Sequence, residues 1–240
     1  MKSVHVFADS ERMAEEIACR WYREADIASK VKGIFSVVLS GGTTALKVYQ
    51  KIASPLWVNK IPWKVVHIFW ADERCVLPES QESNYQIISR TFLNHVPIPD
   101  ENVHRIKGEE EPESESIRYA QEIKDHTILR NTRDTFFDWV LLGLGVDGHT
   151  ASLFSGQEKI FKTPNLCEVT KHPETNQTRI TLTPFAIQRS ACVTYHVIGK
   201  KKAEIVSALV SKSNKNNKYP AANISGEWYL DQAAASNLKK

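Results

Sequence analysis

The sequence predicts an α/β protein with a mainly parallel sheet flanked by helices, and two observations carry that expectation. Strand-length apolar runs alternate with helical periodicities between Val4 and Leu142, which is the rhythm of βαβ units. Two of those runs, Ile34–Leu39 and Phe137–Leu142, break into glycine-rich turns, Ser40-Gly41-Gly42-Thr43-Thr44 and Gly143-Leu144-Gly145-Val146-Asp147-Gly148-His149. Open α/β sheets bind ligands outside the carboxyl ends of their strands, so the turns are the first places to look for a site.

Val4–Phe7 reads as the first strand. Asp9 and Ser10 then cap a helix that runs to about Val31 and carries Met13, Ile17, Trp21 and Ile27. Ile34–Leu39 is a buried strand, a helix with Leu46, Val48, Tyr49 and Ile52 follows the first glycine turn, and Val65–Ala71 is a strand ending at Asp72-Glu73-Arg74. Helical spacing resumes over Ser83–Leu93, Asn102–Ile106 is a short strand, and Ile117–Leu129 is an amphipathic helix. Lys107–Glu113, rich in charge and containing Pro112, reads as a solvated loop. Beyond His149, Arg179–Leu182 and Cys192–Ile198 are strands, Lys201–Val210 is a helix, and Lys212–Lys218 is a polar connection. Asp231–Ala235 starts a terminal helix packed by Trp228 and Tyr229. No repeat or linker divides the chain, which reads as one domain over residues 1–240.

A 42% hydrophobic and 25% charged composition over 240 residues suits a globular protein with a substantial core. The formal charge of +3, from 31 Lys+Arg against 28 Asp+Glu, supplies no general attraction to nucleic acid or anionic membrane. Cys19, Cys75, Cys167 and Cys192 are widely spaced with no C-x-x-C pair, which indicates neither a zinc site nor a disulfide framework. The amino terminus lacks an apolar signal region and no run reaches the length of a membrane span, so a cytoplasmic location is expected.

Ser40–Thr44 lies between a strand and a helix, where backbone N–H groups, hydroxyls and the helix dipole can converge on a phosphate. A tight βα turn with a threonine cap explains the same residues equally well. The G-x-x-x-x-G-K-[ST] spacing of a nucleotide P-loop is missing. Asp72-Glu73-Arg74 puts two carboxylates and a guanidinium at a strand terminus, as a site or as a surface ion pair. Gly143–Gly148 satisfies G-x-G-x-x-G, with Glu168 downstream, yet a dinucleotide fingerprint leaves Asp147 and His149 without a task. An imidazole oriented by a carboxylate suits general-base chemistry near neutral pH. H-E-x-x-H and G-x-S-x-G are absent and the eight histidines show no ligand spacing, so neither a catalytic metal nor a nucleophile-elbow serine is expected.

With these segments in order, the chain resembles the family of 6-phosphogluconolactonases and glucosamine-6-phosphate deaminases over nearly its whole length. The resemblance rests on Leu39-Ser40-Gly41-Gly42-Thr43, Trp70-Ala71-Asp72-Glu73-Arg74-Cys75, Ser83-Asn84-Tyr85, Leu142–Phe154, Arg179-Ile180-Thr181-Leu182-Thr183 and Lys202-Ala203. It implies a Rossmann-like, glucosamine-6-phosphate-deaminase-like fold and hydrolysis of 6-phospho-D-glucono-1,5-lactone, with no cofactor, no metal and no obligate protein partner. By motif, His149 is the implied general base, Asp147 its positioning partner, and Arg74 a cation on the substrate, with Asp72 in the same catalytic segment. Ser40, Gly41, Gly42 and Thr43, with Arg179 and Lys202, are implied to hold the sugar phosphate.

Two positions depart from the family pattern: Ala45 and Ser155 stand where proline is usual. Alanine is a strong helix former, so the first turn is expected to survive, while the loop after Phe154 is expected to differ locally. The deaminase branch reads Ala-Phe-Asn-Glu-Pro after its histidine and Asp-Glu-Tyr at the acidic triplet. Ser152-Leu153-Phe154 and Asp72-Glu73-Arg74 therefore place this chain with the lactonases. A noncatalytic sugar-phosphate sensor is the rival from another class, although no DNA-binding module accompanies the pocket.

Overall fold

The computed structural model describes residues 3–127, 135–210 and 219–238. The extended positions are β1 (Val4–Phe7), β2 (Phe35–Leu39), β3 (Val66–Trp70), β4 (Asp72–Arg74), β5 (Val103–His104), β6 (Phe137–Leu142), β7 (Cys167–Lys171), β8 (Thr178–Leu182), β9 (Ser190–Val197) and β10 (Glu227–Asp231). The helices are α1 (Ser10–Val31), α2 (Thr43–Ile52), α3 (Pro55–Val58), α4 (Asn84–Thr91), α5 (Pro112–Thr127), α6 (Pro184–Gln188) and α7 (Ala203–Val210). Seven strands form one parallel sheet in the order β1-β10-β9-β6-β2-β3-β5, and β4, β8 and β7 form a small antiparallel sheet.

The topology fixes where a ligand can bind. From β2 the chain moves outward through β3 to β5, whereas from β6 it moves the other way through β9 to β10. The connections leaving these adjacent strands therefore diverge, and a crevice opens between their carboxyl ends. Both central strands are apolar for a physical reason: β2 is buried at every position and β6 at all but Asp138, as strands covered on two faces must be. Asp138 accepts from the Ser36 amide at 2.8 Å and pairs with Lys32. The buried side chains form one hydrophobic cluster, in which Trp21 packs edge-on against Phe35 at 5.8 Å and near Trp139 at 6.4 Å.

Most expected elements appear within a residue or two of their expected ends, and the differences have physical causes. Helix α1 is capped by Asp9, whose side chain accepts from the Arg12 amide, but its buried stripe runs through Ala25 and Ala28 while Ile27 is half exposed. Helix α5 begins at Pro112, not Ile117, which is exposed. Glu111 accepts from the amides of Glu113 and Ser114, so the end of the expected loop is a capped helix start. Trp228 and Tyr229 belong to β10, inside the sheet, rather than flanking a terminal helix. Asp231 has the character of a cap, since it accepts from Gly199 and Ala234, but turns follow it. The expected connection Lys212–Lys218 and the end of the expected helix at Leu129 lie outside the described residues.

His196 in β9 is fully enclosed and neither ring nitrogen has a hydrogen-bond partner among the described residues. Burial disfavours the imidazolium and lowers its pKa to about 4. The folded state thus refuses a proton that the unfolded chain accepts below its ordinary value of 6.5. This component of stability is complete above that value and is lost as pH falls from about 6.5 to about 4. At about 1.4 kcal/mol per pKa unit it amounts to a few kcal/mol. His196→Leu is expected to flatten the acid limb of a pH series of urea unfolding curves; an unchanged acid limb contradicts this reading.

Candidate active site

At the crevice between β2 and β6 lies a cavity of about 250 Å³ lined by the turn Ser40–Ala45, by Asp72, Arg74 and Asn84, by Gly143–Gly145 and His149–Ala151, and by Arg179 and Lys202. Of the ten residues expected at the site, all except Asp147 line the cavity, and Asp147 bonds to one that does.

The first turn is built by glycine and tyrosine. Gly42 has φ +101°, a conformation that side chains resist, and it precedes the first residue of α2. Gly41 has no room for a Cβ, which would sit 2.2 Å from Asn84 Oδ1. Tyr49 on α2 reaches back so that its hydroxyl donates to the Ser40 carbonyl at 2.8 Å and accepts from the Ser40 amide at 3.1 Å. The amino terminus of α2 therefore points its unpaired N–H groups toward the cavity. Helix α2 forms with Ala45 buried, without the usual proline.

The second turn closes on itself. Gly145 N–H donates to the His149 carbonyl at 2.8 Å, and Gly148, at φ +83°, donates to the Gly145 carbonyl at 3.2 Å. His149 Nδ1 meets Asp147 Oδ1 at 2.6 Å, so Nε2 is the nitrogen left to face a substrate. Burial pushes the Asp147 carboxyl upward, but the charge and hydrogen bonds of His149 outweigh it and hold the pKa below the ordinary value. Phe154 packs against the imidazole at 5.2 Å. Ala151 sits at φ +46°, a left-handed value uncommon for a residue with a Cβ, where the chain turns to bring Ser152 onto Asp72.

The acidic triplet divides its work. Asp72 is buried and accepts from the Ser152 hydroxyl at 2.6 Å. Glu73 points inward, where it accepts from Ser83 and from the amides of Arg74, Asn84 and Tyr85. Burial raises the Glu73 pKa against those hydrogen bonds. Arg74 lines the cavity, donates to the Glu82 carbonyl, and keeps a buried Nε without a partner among the described residues. Across from it, Arg179 on β8 is paired in register with Arg74 on β4. Burial, then the Arg74 charge, lower the Arg179 pKa, and burial lowers that of Lys202. Among the described residues Arg74, Arg179 and Lys202 make no ion pair. Asp72, Glu82 and Glu73 offset part of the charge on Arg179 and Asp147 part of that on Lys202, yet two guanidiniums and an ammonium on one cavity still favour an anion.

Sequence reasoning left out Asn84, Thr150 and Ser152 as site residues. Asn84 donates to the Asp72 carbonyl at 2.9 Å, and Thr150 to the Gly143 carbonyl at 2.8 Å. Their signal was their place inside the motifs, not their chemistry. Glu168, needed by a dinucleotide reading, lies in β7, where it accepts from Thr163 and Asn165 and does not line the cavity.

Residues 8–230 match the family model described as glucosamine-6-phosphate isomerases/6-phosphogluconolactonase. The chain belongs to this family. It is 38% identical over 237 residues to a 6-phosphogluconolactonase of Haemophilus influenzae, covering 97% of this chain and 98% of that one. The crystal structure of devB protein superposes with a TM-score of 0.91 at 36% identity, covering all of both chains. A monomeric glucosamine-6-phosphate deaminase shares the fold, with a TM-score of 0.81 at 19% identity over 98% of this chain and 99% of that one.

A Cβ on Gly145 would lie 2.2 Å from His149 Nδ1 and 2.3 Å from Asp147 Oδ1. Gly145→Ala is therefore expected to break the imidazole–carboxylate bond while leaving the fold intact. Histidine 15N NMR should lose the signature of a bonded Nδ1 with circular dichroism unchanged, and an unaltered His149 spectrum would contradict the geometry.

Proposed function

We propose that the protein hydrolyses 6-phospho-D-glucono-1,5-lactone to 6-phospho-D-gluconate. The observation that carries this reading is the shared cavity: an imidazole backed by a carboxylate stands on one wall, and unpaired cations with a helix amino terminus stand around the rest. Family membership and the lactonase name of the Haemophilus influenzae relative support it.

A lactone is an activated ester, so the reaction needs a positioned water, a base and charge stabilisation. His149 Nε2 takes a proton as the water oxygen bonds to C1, and the carbonyl oxygen becomes an oxyanion. Asp147 keeps the proton of the neutral ring on Nδ1 and supports the imidazolium. As the oxyanion collapses, the bond between C1 and the ring oxygen breaks and the imidazolium returns its proton to that oxygen. Arg74 is the oxyanion donor. The amides of Gly145, Gly148 and His149 are already bonded within their turn, whereas the Arg74 guanidinium lines the cavity. The Ser40–Thr43 turn, Arg179 and Lys202 hold the phosphate, and that distant grip converts binding energy into orientation of C1. Asp72, held by Ser152 near Arg179, positions the cationic wall.

His149→Ala is expected to lower kcat by about 10²–10⁴-fold. The test uses freshly generated phosphogluconolactone with the uncatalysed opening subtracted, and binding of 6-phosphogluconate is expected to persist in the variant. Near-parental turnover removes His149 from the mechanism. Arg179→Ala is expected to raise KM for the phosphorylated lactone while scarcely affecting unphosphorylated gluconolactone. Equal effects on both lactones reject the phosphate clamp, and ammonia release from glucosamine 6-phosphate by the parent protein would favour the deaminase reading.

A further inference from the structure

A second group of side chains lies apart from the cavity, where the edge strand β5 meets the last turns of α5. One ring nitrogen each of His104 and His126 and one carboxylate oxygen of Glu122 all fall within 4.8 Å of one another. We propose that His104, Glu122 and His126 form a binding site for a divalent transition-metal cation of the zinc class, separate from the hydrolytic centre.

The distances suit such an ion. Zinc–nitrogen and zinc–oxygen bonds of about 2.0–2.2 Å around a tetrahedral ion place neighbouring ligand atoms about 3.3–3.6 Å apart. Here His104 Nδ1 is 2.7 Å from Glu122 Oε1 and His126 Nδ1 is 3.6 Å from the same oxygen. Opening the first contact by under about 1 Å accommodates the ion, which replaces the proton shared by Nδ1 and Oε1. Glu122 and His126 are four residues apart on α5 and so share one face of the helix. Two imidazoles and a carboxylate are borderline donors that favour zinc-like ions over magnesium or calcium.

The surroundings hold one ligand still and leave the others partly exposed, with His126 Nδ1 exchanging a 3.0 Å contact with the Glu122 carbonyl for the ion. The His104 side chain is 2% exposed, with its ring stacked on Phe69 at 4.4 Å and nearly coplanar with the His67 ring at its edge. His67 Nδ1 lies 2.9 Å from His104 Nε2, the nitrogen that would face away from the ion. A hydrogen bond at that second nitrogen is the usual support of a metal-binding histidine, and with the ion bound the neutral His104 ring carries its proton there. Glu122 and His126 are 28% and 38% exposed, which leaves an entry path and room for a water ligand. Arg118 is the opposing charge. It contacts Glu122 through Oε2 at 3.2 Å, leaving Oε1 for the histidines, and its other donors engage Glu115. One guanidinium against two carboxylates leaves the group negative before the ion arrives. The histidines show no ligand spacing because His104 comes from a two-residue strand and His126 from a helix that meet only in the fold.

The test is a titration of chelator-treated full-length protein with Co²⁺, read by visible ligand-field absorption, and with Zn²⁺, read by calorimetry. Saturable binding tighter than about 1 mM is expected, with Co²⁺ giving an intense low-coordinate band. His126→Ala and Glu122→Gln should each weaken it about tenfold or more, while lactone hydrolysis by His126→Ala stays at the parental rate. His149→Ala should bind the metal as the parent does, which separates this site from the Asp147–His149 pair. No saturable binding, equal affinity in the parent, His126→Ala and Glu122→Gln, or loss of binding in His149→Ala overturns the proposal.

Discussion

The amide of Gly143 donates to the Ser40 hydroxyl at 3.1 Å, and through this bond the turn after β2 and the turn after β6 become one surface. The sheet order makes the bond possible, because β2 and β6 are neighbours whose following connections run in opposite directions. Tyr49 fixes one side of the junction by bonding both backbone groups of Ser40, and Thr150 fixes the other by donating to the Gly143 carbonyl. Ser40 is thus buried and engaged, a brace for the anion turn as well as part of its wall.

The small antiparallel sheet supplies what the main sheet cannot. Its strands β4 and β8 place Arg74 and Arg179 opposite one another, two like charges in register. Such a pair is unfavourable in an empty site and becomes favourable when an anion lies between or beside the guanidiniums. The nearest carboxylates offset the pair only in part and make no ion pair with it: Glu73 accepts at the start of α4, and Asp72 accepts from Ser152. The resulting field favours a phosphorylated substrate, and the opposite wall presents a single imidazole with its carboxylate.

Much of this was legible in the sequence. Runs such as Phe35–Leu39 and Phe137–Leu142 are apolar because both faces of the sheet are covered, so the strands that bear the two turns could be read directly. Glycines at Gly41 and Gly145 marked close approaches that proved to be to Asn84 and to the Asp147–His149 pair. What escaped were elements whose pattern is set by tertiary pairing. β4 is only Asp72–Arg74, β7 carries an exposed Lys171, and the aromatic pair Trp228 and Tyr229 of β10, so near the end of the chain, looked like the anchor of a helix. Spacing could not show that Lys202, on the turn before α7, reaches the Leu144 carbonyl beside the turn that carries Asp147 and His149. Only the motif resemblance brought Lys202 and Arg179 to the site.

In the proposed reaction one substrate spans the cavity, with its phosphate at the α2 amino terminus and its C1 carbon at His149. A crystal structure of the protein with 6-phosphogluconate bound tests this most directly. The phosphate is expected between Gly42, Thr43, Arg179 and Lys202, with the C1 carboxylate within hydrogen-bonding distance of His149 Nε2 and Arg74. A product bound in the reverse direction, or with C1 out of reach of His149, would contradict it.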